Sequence, residues 1–495
     1  MDALAWAYAG EGGKHAIFQY IGTGEWEGQV IRLKKSDICG SAVNARMKRD
    51  DSTAFVRDIV IPLLSPYVDL PQEIQLPWDF VVELRQQALA SRMIPSARMK
   101  SWNIALQQFR NNQVAVPATL LWNYKCFPGD SCAGCLSLEI KPKAGYLAIS
   151  PLVSHKNRAK HKYSRFAILQ DLAAKGIIKK GWQSEEDFLK SAYNPLDFFS
   201  GESERIIASL RNLFVQPQNN LKAWYENREL FGISEKHPDY EHFSRKAARE
   251  IFGCGINYLE MQLIPLLAEI LVQETLLSAL LRLQKLDIID ADGAILIFNH
   301  LLELYHGDFD AVNRVLSEQP VLISTNDRQS KQGPRILESP FKDPNCPTLK
   351  AFTDEIQNFA KNLIHNQMDK TAMDLAYERA ITCVTHLSKE ASVFLIQNWL
   401  FSLAISDVSL FVSIRRADGF QSPHDWPSIE DEKHCILCPQ SDIGPGLVGK
   451  STMVDGKRDF QKWAYSIKLV DCDNKPVSKL ECRAKEETMI QFFQS

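Results

Sequence analysis

Apolar and polar positions divide the chain into a β-rich first quarter and a longer, mainly helical remainder. Short apolar runs separated by turn residues predict strands over 16–20, 28–33 and 59–64, and the three- and four-residue spacing over 80–90 predicts a helix covering them. A further apolar run over 118–122, a Cys/Gly loop and a strand over 136–142 follow. From Arg165 onward the helical period takes over, at 166–174, 204–214, 256–284, 294–305 and 354–364. Strands return late. Val408, Leu410, Val412 and Ile414 alternate with Ser409, Phe411 and Ser413 in a half-buried strand that begins at Asp407, and 467–470 form another. The expected class is α+β, with a mixed β-sheet lobe and a larger, mostly helical one. Residues 326–350 and 417–446, rich in Pro and charged residues, read as loops that carry no core. No fixed-period repeat occurs, which excludes solenoids and propellers.

Composition narrows the function. A chain of 495 residues with 45% hydrophobic content can bury a large core. Its 57 Lys and Arg against 60 Asp and Glu leave a net charge of −3, so no global positive field holds nucleic acid, and an anion site must be a local cluster. Residues 1–10 lack the basic and apolar regions of a secretory signal, so export is not expected. The most apolar stretch, 263–283, is interrupted by Pro265, Glu269, Glu274 and Arg282 and reads as a buried helix rather than a bilayer span. Eleven cysteines at this length fit reduced thiols in cytosol or nucleus. Two CxxC pairs, Cys132 with Cys135 and Cys435 with Cys438, have metal-ligand spacing but lie far apart in the chain, and zinc is not assigned.

Several short segments carry candidate chemistry. Gly10, Glu11, Gly12 and Gly13 precede the strand at 16–20; glycines there let backbone amides close on nucleotide phosphates, and a tight hairpin explains them equally well. Arg32 places a cation inside the apolar run 30–34. Alternation over 139–145 puts Glu139, Lys141 and Lys143 on one face of an edge strand, arranged either around an anion or as a solvated edge. Asn219 and Asn220, after Pro217, offer neutral amide donors to phosphate or hydroxyl oxygens, or form only a turn. Asp407 is placed to deprotonate a hydroxyl nucleophile. Asp471, Asp473 and Lys475 share a face, supplying hard oxygens for Mg²⁺ beside a cation for phosphate, or pairing among themselves on a surface strand.

Taken in chain order, these segments resemble the inositol-pentakisphosphate 2-kinases. The resemblance rests on W-x-Y-x-GEGG (Trp6 to Gly13), VIR (Val30 to Arg32), IPLL (Ile61 to Leu64), EIKPK-x-G (Glu139 to Gly145) and SRF (Ser164 to Phe166). It continues through PLD-x-FSG (Pro195 to Gly201), PQNN (Pro217 to Asn220), QKLD-x-x-D (Gln284 to Asp290), the Asp407 strand and D-x-D-x-KP (Asp471 to Pro476). It implies a two-lobed plan similar to protein kinases, with a nucleotide lid and hinge in residues 1–125 and inositol phosphate and metal sites in 126–495. It also implies transfer of the ATP γ-phosphate to the axial 2-hydroxyl of inositol 1,3,4,5,6-pentakisphosphate, giving the hexakisphosphate phytate, with ATP and Mg²⁺ as cofactors. On this resemblance Gly10, Glu11, Gly12 and Gly13 cover the nucleotide phosphates and Arg32 contacts them. Trp122, Asn123 and Tyr124 form the adenine hinge, and Glu139 lies beside the nucleotide. Arg98, Lys141, Lys143, Arg165, Asn219 and Asn220 surround inositol phosphates, and Lys475, Lys479 and Arg483 clamp the rest. Asp407 is the catalytic base, counted with Asp471 and Asp473 among the metal ligands. A monomer in nucleus and cytoplasm is expected, with no membrane or nucleic-acid partner.

The chain departs from that pattern after SRF, where Leu169 and Ala173 replace a histidine and a lysine that face the inositol phosphates. Lys175, Lys162 and His161 are the nearby candidates for compensation. The zinc site of plant members has no counterpart between Leu301 and Lys350. The alternative reading is a catalytically inactive inositol-polyphosphate-binding scaffold or receptor. Against it, a pure anion binder gains nothing from Asp407, Asp471 and Asp473. A protein-directed kinase is unsupported, since HRD-x-x-x-x-N and DFG sequences are missing.

Overall fold

The computed structural model describes residues 2–493 except 12–14, 36–51, 92–114, 128–132, 179–190, 232–239, 254–258, 318–343, 366–367, 418–434, 439–445, 455–456 and 474. Strands β1 (Trp6–Glu11), β2 (His15–Tyr20), β3 (Gln29–Lys34), β4 (Gln72–Pro77) and β5 (Ala115–Trp122) form one sheet in the order β1-β2-β3-β5-β4. Every pairing is antiparallel, so the mixed sheet expected from the sequence is corrected. The links joining β1, β2 and β3 are too short for the crossover that parallel neighbours need. Helix Trp78–Ala90 buries Phe80, Val81, Leu84 and Ala88 against Trp6, Phe18, Ile31, Leu33 and Leu120 on one face of this sheet. Strand alternation leaves Arg32 and Lys34 on the other face.

A second sheet organises the rest of the chain. It contains β6 (Leu136–Ile140), β7 (Leu221–Tyr225), β8 (Arg228–Phe231), β9 (Ser409–Arg416), β10 (Cys435–Cys438), β11 (Gly446–Val454) and β12 (Lys457–Val470). The order is β10-β11-β12-β9-β6-β7-β8, again wholly antiparallel. Leu138, Ile140, Leu221, Ala223, Leu410, Val412, Ile414, Ile467 and Leu469 lie in one apolar cluster with helices Ser203–Val215, Leu259–Gln273 and Leu276–Gln284. Period-two alternation turns Ser137, Glu139, Lys222, Trp224, Ser409, Phe411, Ser413 and Lys468 to the opposite face. The half-buried strand expected here is also corrected. Ser409 and Ser413 are buried like their apolar neighbours, because β9 is a central strand between β12 and β6.

Three other expectations change. Residues 59–64 are helical, in Val56–Val60 and Ile61–Leu64, with Val56, Ile59, Val60 and Leu64 buried at helical spacing that a short β-branched run conceals. The single helix expected over 256–284 is replaced by two, Leu259–Gln273 and Leu276–Gln284, bent by 66°, and among the described residues no single helix is long and apolar enough to cross a membrane. The loop assigned to 417–446 contains β10, and Ala417 is buried; helix Pro347–Ile364 likewise begins within the other assigned loop.

The polypeptide passes from the first sheet to the second between Trp122 and Leu136. Residues 55–68 precede that crossing yet pack in the core of the second sheet, where Tyr67 donates to Glu274 at 2.5 Å. Cys126, in the crossing, is disulfide-bonded, so the expectation of reduced thiols does not extend to it. Helix Lys389–Ser406 lies between two apolar clusters, with Phe401 and Ile405 in one and Leu395, Ile396 and Trp399 in the other. It runs directly into Asp407 and β9.

Candidate active site

The polar faces of the two sheets meet around Arg32. From β3 its guanidinium reaches Asp473 with Nη2 at 2.6 Å and Nη1 at 3.4 Å, and Asp471 lies 3.9 Å away. The Nδ1 atom of His15, on β2, is 3.0 Å from the same Nη2. Asp471 and Asp473 sit beyond the end of β12 in irregular chain, with Asp471 at φ 61°, rather than on the strand face expected for them. Buried Ser409 donates to Glu139 at 2.8 Å and lies 3.4 Å from Asp471, which ties β6, β9 and the aspartate loop together. Enclosure pushes the Asp471 carboxyl up; Arg32 opposes this, and neighbouring Glu139 and Asp473 add to it. Asp473 is held down, because Arg32 outweighs its enclosure. Asp471 and Asp473 thus set hard oxygen donors beside one guanidinium, with Glu139 joined to Asp471 through Ser409, and carboxylate oxygens are the donors Mg²⁺ takes.

A second charge cluster adjoins the first. Asp407 is the C-cap of helix Lys389–Ser406, where a carboxylate opposes the helix dipole. It is held there by Lys475, which donates to Oδ2 at 3.0 Å, and by Lys143, 3.5 Å from Oδ1. Burial alone raises a carboxyl; here the two ammonium groups and nearby Arg483 override it and hold Asp407 well below the usual carboxylate range. Its side chain remains 51% exposed, so an incoming ligand can reach it. Lys143 is itself pushed down by burial and by Lys141 and Arg483, with Asp407 opposing. Helix Lys479–Ile490 repeats the violation in mirror image, placing Lys479 and Arg483 in its first turns, where the dipole disfavours cations. Local rules broken at both helix ends mark a functional site.

The remaining expected residues divide. Lys141 lies 3.8 Å from Glu139, and its backbone N–H donates to Asn220 at 2.8 Å, which brings the Asn219–Asn220 turn beside the lysines. Trp122 ends β5; Asn123 is buried and donates its N–H to Gly28; and Tyr124 accepts from Ser413 through its carbonyl at 2.8 Å. Phe411 stacks on Trp224 at 5.9 Å beneath Tyr124, and Lys125 lies over Trp224 at 4.9 Å. Burial and neighbouring Lys222 bring the Lys125 ammonium down to about 8. Gly10 has φ 141° with open space where a Cβ would stand, and Glu11 faces Lys35 at 3.5 Å. Gly12, Gly13 and Arg98 lie outside the described residues.

Two expected residues have partners within the protein. The Nη atoms of Arg165 pair with Glu486 at 2.6 Å and with Glu487. Asp407, expected among the metal ligands, faces the ammonium groups of Lys143 and Lys475. His15 and Ser409 were not singled out. His15 is the diagonal cross-strand neighbour of Arg32, through the Ile17–Arg32 pair, and only the register reveals it. Leu169 packs with Ile168, Leu172 and Ile490 in a small apolar cluster. Of the compensating cations, Lys175 pairs with Asp171 at 2.7 Å and His161 bonds the Ala148 carbonyl at 2.8 Å through Nδ1.

A family model described as inositol-pentakisphosphate 2-kinase matches residues 8–488. The inositol-pentakisphosphate 2-kinase of Arabidopsis thaliana is 26% identical, over 99% of this chain and 94% of that protein. A similarly named protein of Oryza sativa subsp. indica is 27% identical over 61% of this chain and 70% of its own length. One from Danio rerio is 27% identical over 48% of this chain and 46% of that protein.

Proposed function

The chain belongs to the inositol-pentakisphosphate 2-kinase family, and on that premise we propose that it uses ATP to phosphorylate the 2-hydroxyl of inositol 1,3,4,5,6-pentakisphosphate, giving the hexakisphosphate. The observation that carries this reading is the Asp407 carboxylate held between Lys143 and Lys475 beside an aspartate-rich loop. A strongly acidic carboxyl is a weak base while both lysines neutralise it. Substrate phosphates draw Lys143, Lys475 and Arg483 toward themselves, and the relieved carboxylate accepts the hydroxyl proton as the oxygen attacks the γ-phosphorus, whose bond to the β,γ-bridging oxygen breaks to release ADP.

The two sheets act as the lobes of a kinase-like plan, with Trp122 to Tyr124 as the link and Phe411 with Trp224 as an apolar floor for the base. Arg32 steadies the nucleotide phosphates. Asp471 and Asp473 are the residues that would hold Mg²⁺, which neutralises charge on the transferring phosphoryl group. Five phosphates need many fixed cations, and the clustered lysines and arginines of a weakly acidic chain supply them.

The test is incubation with Mg·ATP and inositol 1,3,4,5,6-pentakisphosphate, with products resolved by anion exchange. Hexakisphosphate formation that depends on Asp407 supports the proposal. Tight binding without turnover would instead favour a non-catalytic inositol-phosphate receptor.

A further inference from the structure

Gln284 ends helix Leu276–Gln284 and is fully buried. Its side-chain amide spans one turn of the EIKPKAG segment: Oε1 accepts from the Gly145 N–H at 2.9 Å, and Nε2 donates to the Lys143 carbonyl at 3.0 Å. A neutral amide accepts and donates at once from adjacent atoms in this way. Its own backbone carbonyl is fixed by Ser402 at 2.5 Å, from the helix that ends at Asp407.

The turn needs such a hold. Lys143 adopts φ 62°, a left-handed conformation unfavourable for a residue with a Cβ. The clamp has other parts too: Tyr193 donates to the Pro142 carbonyl at 2.8 Å, and Phe199 packs so close to Gly145 that a Cβ there would meet its ring at 2.2 Å. The left-handed backbone aims Lys143 at Asp407, 3.5 Å from Oδ1.

We propose that Gln284 is a positioning residue: by bridging Lys143 O and Gly145 N it fixes the turn that presents the Lys143 ammonium to Asp407 and to a substrate phosphate. The proposal rests on the kinase reading of the same site. It concerns the inositol phosphate half of that site alone, because among the described residues the amide bonds only to Lys143 and Gly145.

Gln284→Met keeps the length of the side chain and Gln284→Leu shortens it, and each removes both bonds. For each, KM and kcat are measured separately for inositol pentakisphosphate and for ATP, with pentakisphosphate affinity by calorimetry. The expected result is a loss of about 10- to 100-fold in kcat/KM for the inositol phosphate, with weaker binding of it and an unchanged KM for ATP. Folded variants with wild-type inositol phosphate kinetics, or with equal losses on both substrates, overturn the proposal. If the Gln284 variants do not fold, Ser402→Ala, which loosens the backbone of Gln284 and removes a bond to Tyr146, is expected to give the same one-sided pattern at smaller size, and its absence is equally decisive. Should wild-type protein bind the pentakisphosphate without turning it over, the kinase reading fails while the calorimetric comparison still decides the role of Gln284. If wild-type protein does neither, both fall.

Discussion

Two clusters of opposed charges lie a short way apart, and they behave as opposites. Around Lys160, 2% exposed, the carboxylates of Asp290, Asp292 and Glu487 close in, with Asn157 donating to the latter two and Arg165 capping Glu487. The three carboxylates approach one another closely enough for a metal, but the ammonium of Lys160 already stands among them. Despite burial, those carboxylates hold the Lys160 ammonium well above its ordinary range. Around Asp407 and Asp471 the same ingredients are arranged in the open, with those side chains 51% and 52% exposed. A closed cluster satisfies its charges permanently and fixes architecture, here binding helix Lys479–Ile490 to helix Asp290–Leu304. An open one holds charges that a ligand can redistribute.

Asp407→Asn should separate the two clusters most sharply. Turnover is expected to fall by roughly 10³-fold or more, with inositol phosphate affinity near wild type; a variant at full rate removes Asp407 from the mechanism. Lys160→Met should do the reverse, leaving buried carboxylates uncompensated at a cost of about 3–5 kcal/mol in denaturant unfolding. A change below about 1 kcal/mol would show that the closed cluster is not structural. Lys141→Ala should weaken pentakisphosphate binding by about tenfold, by analogy with loss of a single charge-assisted contact, and flatten its dependence on salt. An unchanged affinity would make that strand scaffold.

The smallest effect concerns pH. A carboxyl lowered in the folded state adds stability above its ordinary value near 3.8, and loses that stability as pH falls through the folded value. Asp407 is therefore expected to stay ionised throughout pH 5–8 and to impose no acid limb on the rate there. Lys143→Met should move the onset of any such limb upward, and a rate profile unmoved by that substitution would deny the coupling.

The runs that carry charge were legible where their logic is local. EIKPK puts its cations within five residues, and D-x-D-x-K crowds its carboxylates without needing a strand to do so. Asp407 was found through β9, although its true position is set by the helix before it. The pairing of Arg165 with Glu486 is invisible in the sequence, because the two lie 321 residues apart. The second sheet was underestimated for a related reason, since β6 pairs with β9 across most of the chain. Residues 59–64 failed differently: a short β-branched run satisfies both periods, and packing decided for helix.

Arg32 and Asp473 lie 441 residues apart in the chain yet share two hydrogen bonds. In folding terms this contact closes one of the longest loops the chain can make, and loop closure of that kind comes late. The helices and hairpins around it assemble from neighbours, so they have no need to wait. During synthesis, a chain halted before Asp471 can form the first sheet and the lysine turn but has no carboxylate loop to set against Arg32. The site is therefore completed after most of the fold that carries it, and interrupting the last strand-to-helix passage costs function before it costs the rest of the molecule.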